Sequence, residues 1–425
     1  MINQIKNIFF NYNNSLFLLS AFPFIGIPQL QTDIMPWALL FSLTIILLRN
    51  VNSSISFNIP SFNSLLILFF LCAFTRLLVT MIDANQFSSF EAIRLFLSYL
   101  TIPVIINVIY FSKNNLNPKL LKKVVIVWFL ASLIQIFIKD FGSFLIPGFR
   151  GEGITAVSGR GSNSFAPEPT EHARMMVAFM ILSYFFYSAK IISSRDNKII
   201  HLLCTLSGLF SLSGTGYLMI ISYFLLFFTF AKESSLILKF VPIISFIIFT
   251  SIFLYFGIKY LPDNRVFYLL GILLEDPSRL FKSGGFILRV FNFTHSINIG
   301  IIETFGIGTG IGEMKPLAEF NSGYNYNIFE SFNISVGSRA HGGIIGIIYN
   351  LGIFGFLWIA WIVNIFTKIL KRSSYHSIRS KWTFFMLAFL MISFFEGSIN
   401  NPILAVLLSF MIKISNEKTL NSKVL

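Results

Sequence analysis

Long apolar runs alternate with short polar connectors along most of the chain, and the runs have membrane length. A hydrocarbon core of about 30 Å takes about 20 helical residues to cross. Stretches of this kind fall at 14–30, 33–49, 62–82, 90–111, 120–139, 173–192, 199–213, 215–231, 236–258, 341–367, 382–397 and 399–413. The pattern predicts an all-α polytopic membrane protein with about twelve transmembrane helices, built as a single integral-membrane domain over 1–425. Two connectors, 140–172 and 259–340, are much longer than the rest. Long loops in compact folds are usually functional. Within the second, 265–282 and 286–303 read as helices lying in or dipping into the interface. On a helical wheel Arg289, Asn292, Ser296, Gly300 and Glu303 form one polar stripe on an otherwise apolar surface. A buried helix with one seam facing a wet cavity would show this stripe, and so would an amphipathic interfacial helix.

Composition strengthens the membrane reading. Hydrophobic residues make up 55% of the 425 positions and charged residues 12%, about half the share of roughly 25% found in soluble domains. So much apolar surface does not fit inside one soluble core, which excludes an ordinary soluble enzyme. The net charge of +14 raises the question of a nucleic-acid partner. The basic residues, however, gather in short runs beside apolar stretches: Lys119, Lys122 and Lys123; Lys190, Arg195 and Lys198; Lys368, Lys371, Arg372, Arg379 and Lys381. That is the distribution of inner-face anchors, and no nucleic acid is needed to explain it. With the N-terminus inside and the first span uncleaved, both termini are expected on the inner side. Nineteen of the 32 Lys and Arg then fall there, with only three acids (Asp196, Glu233 and Glu417), leaving the rest of the chain slightly acidic. Cys72 and Cys204 lie inside apolar runs and suggest neither a disulfide framework nor a metal site.

The charges left over collect at the opposite depth. Arg76, Glu91 and Arg94 sit at outer span ends, and Arg150, Arg160, Glu168, Glu171, His172 and Arg174 surround the entry to the sixth span. Arg289, His295, Arg339, His341 and Glu396 complete the group. Ionisable groups at membrane depth are costly and usually mark a pathway or a site, although Glu91 and Arg94 at i,i+3 also suit a simple pair. Outside the inner face there are nine Arg and four Lys. The flat guanidinium fork grips phosphate or carboxylate in two places and stays charged when partly desolvated. An Arg-lined cavity beside lipid therefore suits an anionic, lipid-attached ligand. The segment from Arg150 to Arg174, RGEGITAVSGRGSNSFAPEPTEHAR, is Gly-rich, then stiffened by Pro167 and Pro169, then charged. It reads as a substrate gate. No DxD pattern, ligand cluster or Walker A loop occurs, so no metal or cofactor is expected.

At these residues the chain resembles the bacterial O-antigen polymerase (Wzy-type) and O-antigen ligase superfamily over nearly its whole length. The match rests on SFAPEPTEHA (164–173), FGIGTGIG (305–312), RAHGGIIGIIYNLGIFGF (339–356) and EGSINNP (396–402). It also rests on an Arg-x10-Gly pattern present in both loops, Arg150 to Gly161 and Arg289 to Gly300. The resemblance implies a fold similar to the C-type integral-membrane glycosyltransferases, in the bacterial inner membrane, with both long loops periplasmic. It implies metal-independent, inverting transfer of a glycan from undecaprenyl diphosphate to a sugar hydroxyl, as in lipopolysaccharide biosynthesis. Arg289 and Arg339 would hold the diphosphate and Arg150 and Arg160 would guide substrate, with Arg174, Glu171, His172 and His295 lining the binding region. The general base is His341 or its rival Glu168. A chain-length regulator and a flippase are the implied protein partners. Gly342 and Gly343 follow His341 where ligases carry Asn, so polymerase and ligase both remain open. A lipid-linked oligosaccharide flippase is the reading from a different class. It should carry charges through mid-membrane and have short outer loops.

Overall fold

The computed structural model describes residues 11–25, 34–52, 64–82, 89–112, 116–138, 161–231, 296–311, 343–372, 376–395 and 401–418, together with Tyr255, Phe256, Lys259, Tyr260 and Gly271. Among them there is helix and no strand. The elements are α1 (Tyr12–Ala21), α2 (Trp37–Asn52), α3 (Ser64–Ile82), α4 (Ser89–Tyr110), α5 (Pro118–Phe137), α6 (Pro169–Ser188), α7 (Ser194–Phe210) and α8 (Gly214–Leu226). A π-helical turn (Phe227–Ala231) extends α8, and another (Asn298–Glu303) stands alone. Then come α9 (Gly343–Leu351), a 3-10 turn (Gly352–Gly355), α10 (Phe356–Arg372), α11 (His376–Phe395) and α12 (Pro402–Lys418).

Four helical stretches among the described residues are long and apolar enough to cross a membrane by length and composition: Ile93–Tyr110, Pro118–Phe137, Gly214–Ala231 and Gly343–Lys371, the last of them running through the 3-10 turn. Shorter apolar helices occupy Trp37–Leu48, Ser64–Val79 and Pro402–Lys413. α6 is buried continuously from His172 to Phe186 and α12 from Pro402 to Lys413, so these two form the centre of the bundle. Helices buried all round are apolar on every face. α1 is shorter than the expected 14–30 run, because the helix stops at Ala21 just before Pro23, whose ring cannot continue it. The expected span at 236–258 and the expected helix at 265–282 lie almost wholly outside the described residues.

Capping fixes several helix starts. Asn117 precedes Pro118 and accepts from Lys119 N–H at 3.1 Å. Ser193 Oγ accepts from Asp196 N–H at 3.1 Å, and Ser213 Oγ accepts from Gly216 N–H at 3.2 Å. At one end of the bundle Lys122 Nζ meets Asp196 Oδ1 at 2.7 Å, joining the second turn of α5 to the first turn of α7. Lys413 donates to Ser112 O at 2.7 Å, and Asn117 N–H to Asn14 Oδ1 at 2.8 Å, at that same end. The Lys122 hydrogen bond, then that of Ser193, holds the Asp196 carboxyl below its usual range. The pair is solvated, so the small stability it gives is present above the ordinary carboxylate pKa and lost as pH falls through the lowered value.

The run expected as one helix over 341–367 is broken. Gly352 has φ +59°, which places α9 and α10 on either side of a 3-10 turn. The gap is filled by the stretch around 304–310. Thr309 N–H donates to Tyr349 O at 2.9 Å, Gly310 N–H to Asn350 O at 3.0 Å, and Ile353 N–H to Gly306 O at 2.9 Å. A Cβ on Gly352 would collide with Gly306 O. Gly352→Ala should therefore lower the stability of the purified protein by at least about 1–2 kcal/mol, the cost of the left-handed conformation alone. Gly214→Ala, at a helix start with open space around it, should be neutral or slightly stabilising. Thermal unfolding in detergent checks both, and an unchanged midpoint for Gly352→Ala would contradict the seam.

Candidate functional site

The end of the first long loop is built into the bundle by backbone and side-chain hydrogen bonds. Gly161 lies where a Cβ would collide with Phe210 O, the last carbonyl of α7. Ser162 N–H donates to that same oxygen at 2.9 Å. Gln135, in the last turn of α5, accepts from Ser164 N–H at 2.6 Å and Ser162 Oγ at 2.9 Å, and its amide donates to Ser164 O at 3.2 Å. Ser164 Oγ donates to Trp128 O at 2.9 Å. Aromatic rings close the segment in. Trp128 stacks on His172 at 5.8 Å and meets Phe165 edge-on at 5.4 Å, and Phe22 touches both, edge-on to Phe165 at 5.2 Å and stacked on Trp128 at 6.0 Å.

α6 then begins, with Glu168 as N-cap residue. Its carboxylate is exposed and makes no capping bond, while its carbonyl accepts from His172 N–H at 3.1 Å. Glu171 in the first turn forms an ion pair with Arg174, and both side chains are mostly buried. The second carboxylate oxygen of Glu171 is buried with no hydrogen-bond partner among the described residues. Thr170 Oγ1 lies 2.8 Å from Ser213 Oγ, tying the start of α6 to the start of α8.

His172 is fully buried. Its Nδ1 lies 3.1 Å from Ser162 O and its Nε2 2.8 Å from Ser207 Oγ, which in turn lies 3.0 Å from Ser132 Oγ. A carbonyl oxygen only accepts, so Nδ1 carries a proton and donates it to Ser162 O. A serine hydroxyl against a histidine nitrogen has the distance of a nucleophile and its base. Ser207 and Ser132 are fully buried too, so no substrate reaches this pair. The arrangement holds a loop end among buried groups.

A point inside the second long loop shows the same construction. A Cβ on Gly300 would collide with Ile348 O of α9, as one on Gly161 would with Phe210 O. Arg76 near the end of α3 donates to Gly308 O at 2.7 Å, joining the two elements across 232 residues. The stripe expected over 286–303 does not hold at its described end. Residues 298–303 form a π-helical turn, whose wider winding shifts every later residue round the axis. Ser296 and Gly300 are buried, while Glu303 is exposed and accepts from Asn298 Nδ2 at 2.9 Å.

Of the residues expected at the site, Glu168, Glu171, His172 and Arg174 are brought together on the first two turns of α6 or just before them. Arg150, Arg160, Arg289, His295, Arg339 and His341 lie outside the described residues, as do Glu396 and the side chain of Glu91. Gln135, Ser162, Ser164 and Ser207 were not among the expected site residues. The one available signal was a lone Gln in the apolar run 124–138. No three His, Cys, Asp or Glu side chains among the described residues are placed to hold a metal ion. No family model matches the sequence, and no curated protein matches it.

A mostly buried ion pair makes a definite demand on its members. Removing one partner leaves the other charge uncompensated, whereas removing both does not. Arg174→Ala should cost on the order of 3 kcal/mol, and adding Glu171→Ala should recover part of the loss. Thermal midpoints of single and double variants check this, and strictly additive losses would contradict it.

Proposed function

We propose that the chain is an integral-membrane glycosyltransferase that polymerises lipid-linked O-antigen or related surface-polysaccharide repeat units at the periplasmic face of the inner membrane. In this reading about twelve helices carry two periplasmic loops, and the donor is an oligosaccharide on undecaprenyl diphosphate. The observation that carries it concerns the two glycines of the Arg-x10-Gly pattern. Gly161 and Gly300 are each pressed against a carbonyl at or near the end of a helix, so close that a side chain would not fit. Each loop thus has a fixed point eleven residues after an arginine. That supports a pair of loops built to present Arg150 and Arg289 towards one substrate.

The chemistry follows from what the bond change needs. The acceptor hydroxyl attacks the anomeric carbon, the carbon–oxygen bond to the diphosphate breaks, and undecaprenyl diphosphate leaves with the electron pair. A base takes the hydroxyl proton, and cationic forks offset charge growing on the departing diphosphate. Arg289 and Arg339 fill the second role. His341, or Glu168 with its exposed carboxylate at the start of α6, fills the first. Glu171 and Arg174 line the entry, where the buried free oxygen of Glu171 can accept from a sugar hydroxyl. Arg150 and Arg160 lead the anionic donor in from the first loop.

The lipopolysaccharide ladder of a strain lacking the gene tests the reading. Core bearing a single repeat unit is expected, with the full ladder restored by the wild type. Neither His341→Ala nor Arg289→Lys should restore it, the latter because a point charge does not replace a fork. Bare core in the deletion strain would overturn the polymerase reading and point to a ligase or a flippase. The side of the membrane on which lipid-linked glycan accumulates separates those two.

A further inference from the structure

We propose that Gln135 and His172 are positioning residues that fix the first-loop half of this site by gripping the backbone of Ser162 and Ser164, an inference that rests on the glycosyltransferase reading. The grip comes from three helices. Gln135 of α5 pairs through its amide with both backbone groups of Ser164. His172 of α6 takes Ser162 O, and Phe210 O of α7 takes Ser162 N–H. Ser164 is held at φ +48°, a conformation that non-glycine residues rarely adopt. Such a residue persists where its surroundings over-determine it. Here its N–H, its C=O and its hydroxyl are all engaged.

The gripped residues stand between two charges of the candidate site. Ser162 follows Arg160 by two positions and Ser164 precedes Glu168 by four. Two residues span at most about 7 Å, so fixing Ser162 limits where Arg160 can begin. The interior location explains why uncharged groups carry the grip. Gln135, Ser162, Ser164 and His172 are all buried, and neutral hydrogen-bonding groups cost less there than charges. His172 has both ring nitrogens engaged by protein atoms and no exposed surface, which suits positioning and not proton transfer to substrate.

The test uses the full-length protein in proteoliposomes, with Cys72→Ser and Cys204→Ala as background and Asn163→Cys as reporter. Labelling by a membrane-impermeant maleimide reads the grip without reference to activity. Gln135→Met, close in shape but without its hydrogen bonds, should raise the labelling rate at least about tenfold and lower kcat/KM on a lipid-linked repeat unit by about 100-fold, the usual scale for a 1 Å misplacement. His172→Asn keeps a donor at the position of Nδ1, whereas His172→Gln keeps one only at the position of Nε2. The Asn variant should therefore stay at least tenfold more active than the Gln variant, with the pH profile of the wild type. Unchanged labelling in Gln135→Met overturns the grip. A His172→Asn no more active than the Gln variant, whose residual activity has lost one limb of the pH profile, overturns positioning in favour of proton transfer. If the wild type itself elongates nothing, the glycosyltransferase reading fails while the labelling result still decides the grip.

Discussion

Non-helical backbone inside an apolar bundle survives only if its N–H and C=O groups find partners in the protein, and a described stretch of each long loop meets that demand. Segment 161–166 enters among α5, α6 and α7 and is held by the Gln135 amide, the His172 ring and the free carbonyl at the end of α7. Segment 304–310 is held by the carbonyls exposed where α9 breaks into its 3-10 turn. Both solutions mix backbone and side-chain partners, Phe210 O beside Gln135 and His172 in one and the α9 carbonyls beside Arg76 in the other. Both use helix ends, where carbonyls have no partner in their own helix.

This arrangement assigns different work to neighbouring residues on α6. His172 and Ala173 face inward, towards Ser162 and Gly216, while Glu168 faces out. Glu171 and Arg174 lie between, joined to each other and mostly buried. One turn of helix therefore separates a neutral, sealed interior from a charged entry. The sealed part supplies rigidity, and in the proposed reading the charged part would contact an anionic donor. Rigid support beneath a charged site is what electrostatic stabilisation of a leaving diphosphate requires, because donors that need not reorganise lose none of their effect.

The helices were largely legible because each is an apolar run bounded by Asn, Ser, Pro or charge. α5 starts at Asn117-Pro118 and α7 at Ser193, both ordinary capping signals. The break at Gly352 was not read, since NLGIFGF sits in an apolar context where hydropathy stays high through the turn. The π-helical winding at 298–303 was not legible for a related reason: a wheel drawn at the α-helical angle assumes the winding it is meant to test. Glu171 and Arg174 were expected at the entry from charge at membrane depth. Gln135 was passed over because its role depends on Ser162 and Ser164, residues close in space and about 30 positions away in sequence, and one polar residue in an apolar run carries no pattern.

The central claim is chemical: this chain joins lipid-linked repeat units to one another. Purified protein in liposomes, given a synthetic undecaprenyl-diphosphate-linked repeat unit and a chelator, tests it directly. The account predicts a ladder of lengthening lipid-linked glycans, with one undecaprenyl diphosphate released for each new glycosidic bond and no loss of rate in the chelator. Substrate that crosses the bilayer unextended would contradict it and place the chain among transporters.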